Sequence, residues 1–156
     1  MAETAPDATG QRAIEAAAGT VYRLITDLDT LAELAGELHG HRWLGRAREA
    51  EAGAKFLGSN RRGWRRWVTV ATVTDATAGE RFAFDVDFGP MPVARWRYDI
   101  APHEAGCLVT ESTWDRRPKW LRPILGTLIG PKDRAATNRA NINATLDRLK
   151  ARAEIR

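Results

Sequence analysis

The stretch from Pro131 to Glu154 constrains the fold most, because no glycine or proline interrupts it once Pro131 has passed. Gly130-Pro131 is a stop-then-start signal: proline has no N–H to waste at a first helical position, and its φ is already near the helical value. Asp133 near the positive end, with Lys150 and Arg152 near the negative end, suits the helix dipole. Ala135, Asn138, Ile142, Thr145, Leu146 and Leu149 recur at three- and four-residue steps and share one stripe, while Arg134, Asn141, Arg148 and Lys150 fall off it. The spacing predicts one helix about 35 Å long. Its stripe is thin in large side chains and carries Asn138 towards the N-terminal end. Such a helix either packs as an ordinary amphipathic element, or packs tightly at one end and leaves a partly polar gap at the other. The second arrangement suits a cavity.

A chain of 156 residues with 44% apolar composition is expected to form one domain with a real core. Met1 to Gly10, small and acidic, reads as a flexible tail, which leaves residues 11–156 as the domain. The tail lacks the basic start and apolar centre of a signal peptide, and no apolar run is long enough for an integral membrane segment. The single cysteine, Cys107, excludes an internal disulfide and fits a reducing cytoplasm, where the sequon Asn143-Ala144-Thr145 would be idle. Net charge is only +4, yet arginine clusters at Arg61, Arg62, Arg65 and Arg66, and again at Arg116, Arg117 and Arg122 with Lys119. Nucleic acid is the sharp reading of such clusters. Their turn-like Gly and Pro neighbours, and the absence of a nucleic-acid motif, favour solvated hairpin tips instead. Composition leaves monomer and homodimer equally open.

Taken in order, Gln11 to Ala18 reads as an edge strand. Thr20 is a plausible N-cap for a short helix over Val21 to Thr26, and a second helix is expected over Asp29 to Leu38. From His41 the period changes to two. Arg42 to Arg48 is a weak strand carrying Trp43, and Lys55 to Arg62 a better one that turns at Arg62-Gly63. Trp67, Thr69, Ala71 and Val73 then share a face. The clearest hairpin follows, with Phe82, Phe84, Val86 and Phe88 on one arm and Ala94, Trp96, Tyr98 and Ile100 on the other, reversed at Gly89-Pro90-Met91-Pro92. Setting Phe84 against Tyr98 and Val86 against Trp96 also sets Asp85 against Arg97 and Asp87 against Arg95. Aromatic pairs then meet on one face and opposite charges on the other, which places Asp85 and Asp87 towards solvent. In the last strand, Cys107 to Trp114, either alternate set is a credible inner face. Pairing across Gly106 brings Val109 opposite Tyr98 and Glu111 opposite Trp96, with Glu111 inward. An apolar connector, Pro118 to Ile129, leads to the long helix.

This order of elements resembles the helix-grip superfamily, which includes START domains, the Bet v 1 allergens and the small bacterial polyketide cyclase/dehydrase-like (SRPBCC) proteins. The phrases that carry the resemblance are Lys55-Phe56-Leu57-Gly58-Ser59-Asn60-Arg61-Arg62-Gly63, Arg66-Trp67 to Val73-Thr74, Ala78-Gly79-Glu80-Arg81-Phe82-Ala83-Phe84, Val109-Thr110-Glu111 and the closing Ala136 to Glu154. It implies an α+β fold: a curved antiparallel sheet of about seven strands, two short helices after the first strand, and a long C-terminal helix over the concave face. It also implies a deep, mostly apolar cavity for a small hydrophobic, lipid-like or polyketide-like molecule. The superfamily has no universal catalytic motif, so no catalytic residue transfers by position.

The residues themselves exclude several chemistries. His39-Gly40-His41 offers two imidazoles without further ligands nearby, and His103 sits in a turn, so no metal is expected. Cys107 on an inward strand face reads as inert packing. No GxGxxG occurs, and Gly126 to Lys132 departs from a phosphate loop, so no cofactor is expected. What remains is a pocket. Trp43, Trp67, Phe84, Trp96 and Tyr98, with Asn60, Thr69, Asn138 and Glu111 among them, match the usual make-up of a small-molecule site. The bland alternative is that these aromatics fill the core. For an enzyme, the resemblance implies cyclisation or dehydration; the residues themselves offer Glu111, next to Trp96 in a dry pocket, as acid/base, with Tyr98 and Asn60 orienting an oxygen. For Glu111 the competing reading is a structural carboxylate paired to Arg62 or Arg95. A non-catalytic carrier or sensor, and a partner-binding protein using the Trp120 to Ile129 segment, are the competing functions.

Overall fold

The period-two alternation is built into one antiparallel sheet in the computed structural model, which describes residues 3–35, 38–120 and 134–155. The elements are β1 (Ala8–Ile14), α1 (Ala18–Thr26), α2 (Leu28–Leu34), β2 (Leu38–Trp43), β3 (Lys55–Arg62), β4 (Arg65–Thr77), β5 (Arg81–Phe88), β6 (Met91–His103), β7 (Gly106–Asp115) and α3 (Arg134–Ala153). The strands lie in the order β1-β7-β6-β5-β4-β3-β2, a meander whose first strand has crossed to the far edge beside the last. This is the helix-grip arrangement that the resemblance implies. The α3 stripe is as expected where it meets the core: Ile142, Leu146 and Leu149 are fully buried beside Ile14, Val21, Ile25 and Val109. The Gly130-Pro131 start of that helix, and the connector beyond Trp120, lie outside the described residues.

Several boundaries differ from the expectation. The first strand begins at Ala8 rather than Gln11, and the stretch read as a flexible tail runs along β7 before it. Asp7 N–H donates to Thr113 O at 2.9 Å, Trp114 Nε1 to Thr4 O at 2.6 Å, and Glu3 pairs with Arg97. The edge of β7 carries backbone groups that need partners as far as Asp115, and this segment supplies them. Helix α1 starts at Ala18, capped by Ala17 without a side-chain bond, so Thr20 sits in the first turn and is not the cap. The cap that matters is Asp27, whose carboxylate accepts from Asp29 N–H at 3.0 Å and Thr30 N–H at 3.2 Å to start α2. Helix α2 stops at Leu34 instead of Leu38, because Leu38 already pairs with Asn60 as the first residue of β2. That strand therefore spans Leu38–Trp43, earlier than the expected Arg42 to Arg48. Asp27→Ala should cost about 1 kcal/mol in a denaturant titration.

The β5–β6 register is shifted by two residues from the expected one. Phe84 opposes Trp96, Phe82 opposes Tyr98 and Asp85 opposes Arg95, with a bulge between Val86 and Asp87. The reversal uses only Gly89-Pro90, since Met91 already pairs with Phe88, and that shorter turn draws the arms together. Opposite charges still meet on the outer face, as Arg95–Asp85 at 2.7 Å and Arg81–Asp99 at 2.7 Å. The β6–β7 pairing is shifted likewise, so Tyr98 opposes Glu111 and Ile100 opposes Val109.

Candidate ligand cavity

Beneath the N-terminal half of α3 the sheet and helix do not close on each other, and a cavity of about 170 Å³ remains. The α3 stripe explains why. Its large apolar residues begin only at Ile142, and the turns before it present Asn138 and Asn141, both on the cavity wall together with the buried Thr145. Leu31 of α2 and Ala35 close one side, and Arg148 ties α3 to α2 by donating to Leu34 O at 2.8 Å.

The floor is set by strand alternation. Thr69, Phe84, Trp96 and Tyr98 all line it, as expected. Asn60 and Trp67 face each other across β3–β4 at one end of it. Asn60 donates from Nδ2 to Thr69 Oγ1 at 2.9 Å, which holds the amide along the wall. Trp43 is the exception. It opposes Phe56 on the outermost strand pair and packs edge-on against it, ring centres 5.6 Å apart, and it does not reach the cavity. Phe56 occupies that wall and meets Phe84 at 5.3 Å. Among the lining residues that the sequence reading did not single out, Asn141 had a usable signal in its three-residue spacing from Asn138. The aromatics leave space; they do not fill the core.

Glu111 is the unusual group. It is only 3% exposed, and its Oε1 accepts the Tyr98 hydroxyl at 2.9 Å from directly across the strand pair. Its Oε2 is buried with no hydrogen-bond partner among the described residues. Burial raises the carboxyl pKa to about 8, against a smaller lowering by the Tyr98 hydrogen bond. Glu111 is thus mainly a neutral acid at pH 7, with one oxygen held by Tyr98 and the other buried at the cavity wall. Of the two structural arginine partners considered, Arg95 engages Asp85 instead, on the opposite face, and the Arg62 side chain lies outside the described residues. Burial and the neighbouring carboxyl push the Tyr98 phenol well up, so it remains a donor. Burial also raises Cys107 and lowers His41, whose ring stacks against Phe56 at 5.8 Å, so both stay uncharged.

The family described as polyketide cyclase / dehydrase and lipid transport matches residues 5–154. The chain belongs to that family. No curated protein matches it. Among solved structures, the polyketide-cyclase-like protein Cgl2372 of Corynebacterium glutamicum is 26% identical, with a TM-score of 0.58 over 91% of this chain and 87% of that one. The protein CV1439 of Chromobacterium violaceum is 16% identical, with a TM-score of 0.67 over 95% and 97%. The di-domain ARO/CYC StfQ of the steffimycin biosynthetic pathway is 15% identical, with a TM-score of 0.71 over 94% of this chain and 49% of StfQ. The last two share the fold with this cyclase/dehydrase-family chain, which spans about half of StfQ. Among the described residues no helix is long and apolar enough to cross a membrane.

Proposed function

We propose that the protein binds a compact, neutral, ring-containing molecule of lipid- or polyketide-like character in this cavity, and that Glu111 transfers protons to and from it. The observation that carries the reading is a neutral, buried Glu111 in the wall of an otherwise largely apolar hollow, its Oε2 without a partner among the described residues. An apolar protein cavity of about 150 Å³ holds one benzene ring, so the hollow suits a molecule of that order. Among the described residues none that lines the cavity carries a positive charge, which favours a carbonyl or hydroxyl oxygen facing Glu111.

The chemistry then follows. The Glu111 proton passes from Oε2 to the hydroxyl of a β-hydroxy ketone, the C–O bond breaks and water leaves. The resulting carboxylate, steadied by the Tyr98 hydroxyl on Oε1, takes the α-proton as the C=C bond forms. Glu111 ends protonated and the balance is closed. Protonating a carbonyl in the same way would assist ring closure by an enol. Asn60 and Thr69 orient the far end of the ligand.

Glu111→Gln tests this, because glutamine keeps the size, the acceptor for Tyr98 and a donor at the other position, but cannot exchange a proton. Native mass spectrometry of freshly purified protein would supply the ligand. With it, the variant should bind within a few-fold of wild type while turnover falls by about 10² or more. Wild-type turnover should decline as pH rises through about 8, where the acid form is lost. Unchanged turnover would remove Glu111 from the reaction, and absence of any conversion by wild type would leave a carrier.

A further inference from the structure

We propose that the end of the sheet carrying the β3–β4 tip docks on an anionic membrane surface. Trp64, at the Gly63-Trp64 turn, is 85% exposed, with the Arg65 guanidinium over its ring at 5.5 Å. The sequence puts four arginines into positions 61–66, and the side chains of Arg61, Arg65 and Arg66 are exposed. Two more exposed apolar side chains, Val68 and Phe88, lie at the same end, because Val70 pairs with Asp87 and the β5–β6 turn follows at once. Strand β7 also finishes there, opposite Ala94, and leads towards the exposed Trp120. The strand-end acids are already engaged: Asp85 by Arg95 and Arg116, Asp87 by Arg116, and Asp115 by Arg117. The net field at this end is therefore positive.

Arginine alone would suit nucleic acid equally well. An indole with aliphatic and phenyl neighbours suits the headgroup level of a bilayer, where tryptophan gains on both its polar and its apolar sides. The cavity reaches this end too. Asn60 and Trp67, a pair on its wall, are followed in register by Arg61 with Arg66, by Arg62 with Arg65, and then by the turn. Docking here sets the cavity rim two residue pairs from the tip that meets the lipid, so an apolar molecule could pass between bilayer and hollow with little exposure to water.

The test is flotation of the whole protein with phosphatidylcholine vesicles and with phosphatidylcholine–phosphatidylglycerol vesicles. Wild type should float with the mixed vesicles alone, lose binding as salt rises, and show tryptophan quenching by brominated lipid. Arg61→Ser/Arg66→Ser should bind about 30-fold more weakly, at roughly fivefold per charge. Trp64→Ser should lose the tip's share of quenching with its melting temperature unchanged. Glu111→Gln should float as wild type, which separates this surface from the cavity reading. Equal flotation with neutral vesicles, undiminished binding and quenching in Trp64→Ser, or binding of a single-stranded oligonucleotide in place of vesicles would each overturn the proposal.

Discussion

Glu111→Gln is expected to stabilise the protein above neutral pH and to flatten its pH dependence. The folded carboxyl titrates near pH 8, against the usual value near 4.5 in an unfolded chain. Between those values the folded state holds a proton that the unfolded state has released. Stability from this group is therefore complete in acid and is lost as pH rises, at about 1.4 kcal/mol per pH unit across the window. The full loss is on the order of 5 kcal/mol, and glutamine does not suffer it. The neutral acid leaves one O–H and the amide two N–H bonds without a partner among the described residues, an offset between the two proteins that does not change with pH. Urea titrations of the two proteins at about pH 5 and about pH 9 measure the difference directly. Parallel curves would mean that Glu111 ionises as an ordinary surface carboxyl and that the proton-transfer reading has no basis.

Gly106→Ala should be the most damaging single methyl group in the protein. Gly106 opens β7 opposite His103, and the end of β1 passes directly over it. A Cβ there would fall on the carbonyl oxygen of Ile14, with Ala16 N at 2.8 Å and Glu15 Cα at 3.0 Å. All three are backbone atoms, so no rotamer change relieves the clash, and β1 must lift from β7. A loss of about 4 kcal/mol, or roughly 10 °C in melting temperature for a domain of this size, is expected. A variant that melts within a degree or two of wild type would mean that the β1 edge yields easily.

The same geometry shows which parts of the molecule were legible beforehand. The long helix and the hairpins announce themselves because glycine and proline punctuate them and the period changes sharply at His41. Faces were legible as well: Phe84, Trp96, Tyr98 and Glu111 all point where alternation puts them. Partners were not. A shift of two residues preserves every face and every like-with-like pairing, so the match of aromatic with aromatic and Asp with Arg could not tell the true register from its neighbour. That is why Glu111 could be foreseen as inward while its cross-strand neighbour was misplaced: it is Tyr98, which also donates to it, and not Trp96. Trp43 failed for another reason. Alternation assigns a face but not a distance from the sheet centre, and β2 is the outermost strand. Asn141 sat off the apolar stripe because a stripe drawn through hydrophobic residues cannot trace a polar wall.

The crossing of β1 to the far edge also decides when the molecule can be finished. Its sheet partner begins only at Gly106, and its other contacts are to the last helix, through Arg12–Asp147 at 2.9 Å, Lys150 to Ala13 O at 3.0 Å and the Glu154 carboxylate on Glu15 N–H at 3.0 Å. A chain emerging from the ribosome must hold β1 unsatisfied until β7 and α3 have been made. Assembly is then closed by a loop of more than ninety residues, from Ile14 to Cys107, a slow, high-contact-order step. A nascent chain stalled before that point would present β1 as an unclaimed ribbon, which is the species that a chaperone would have to shelter.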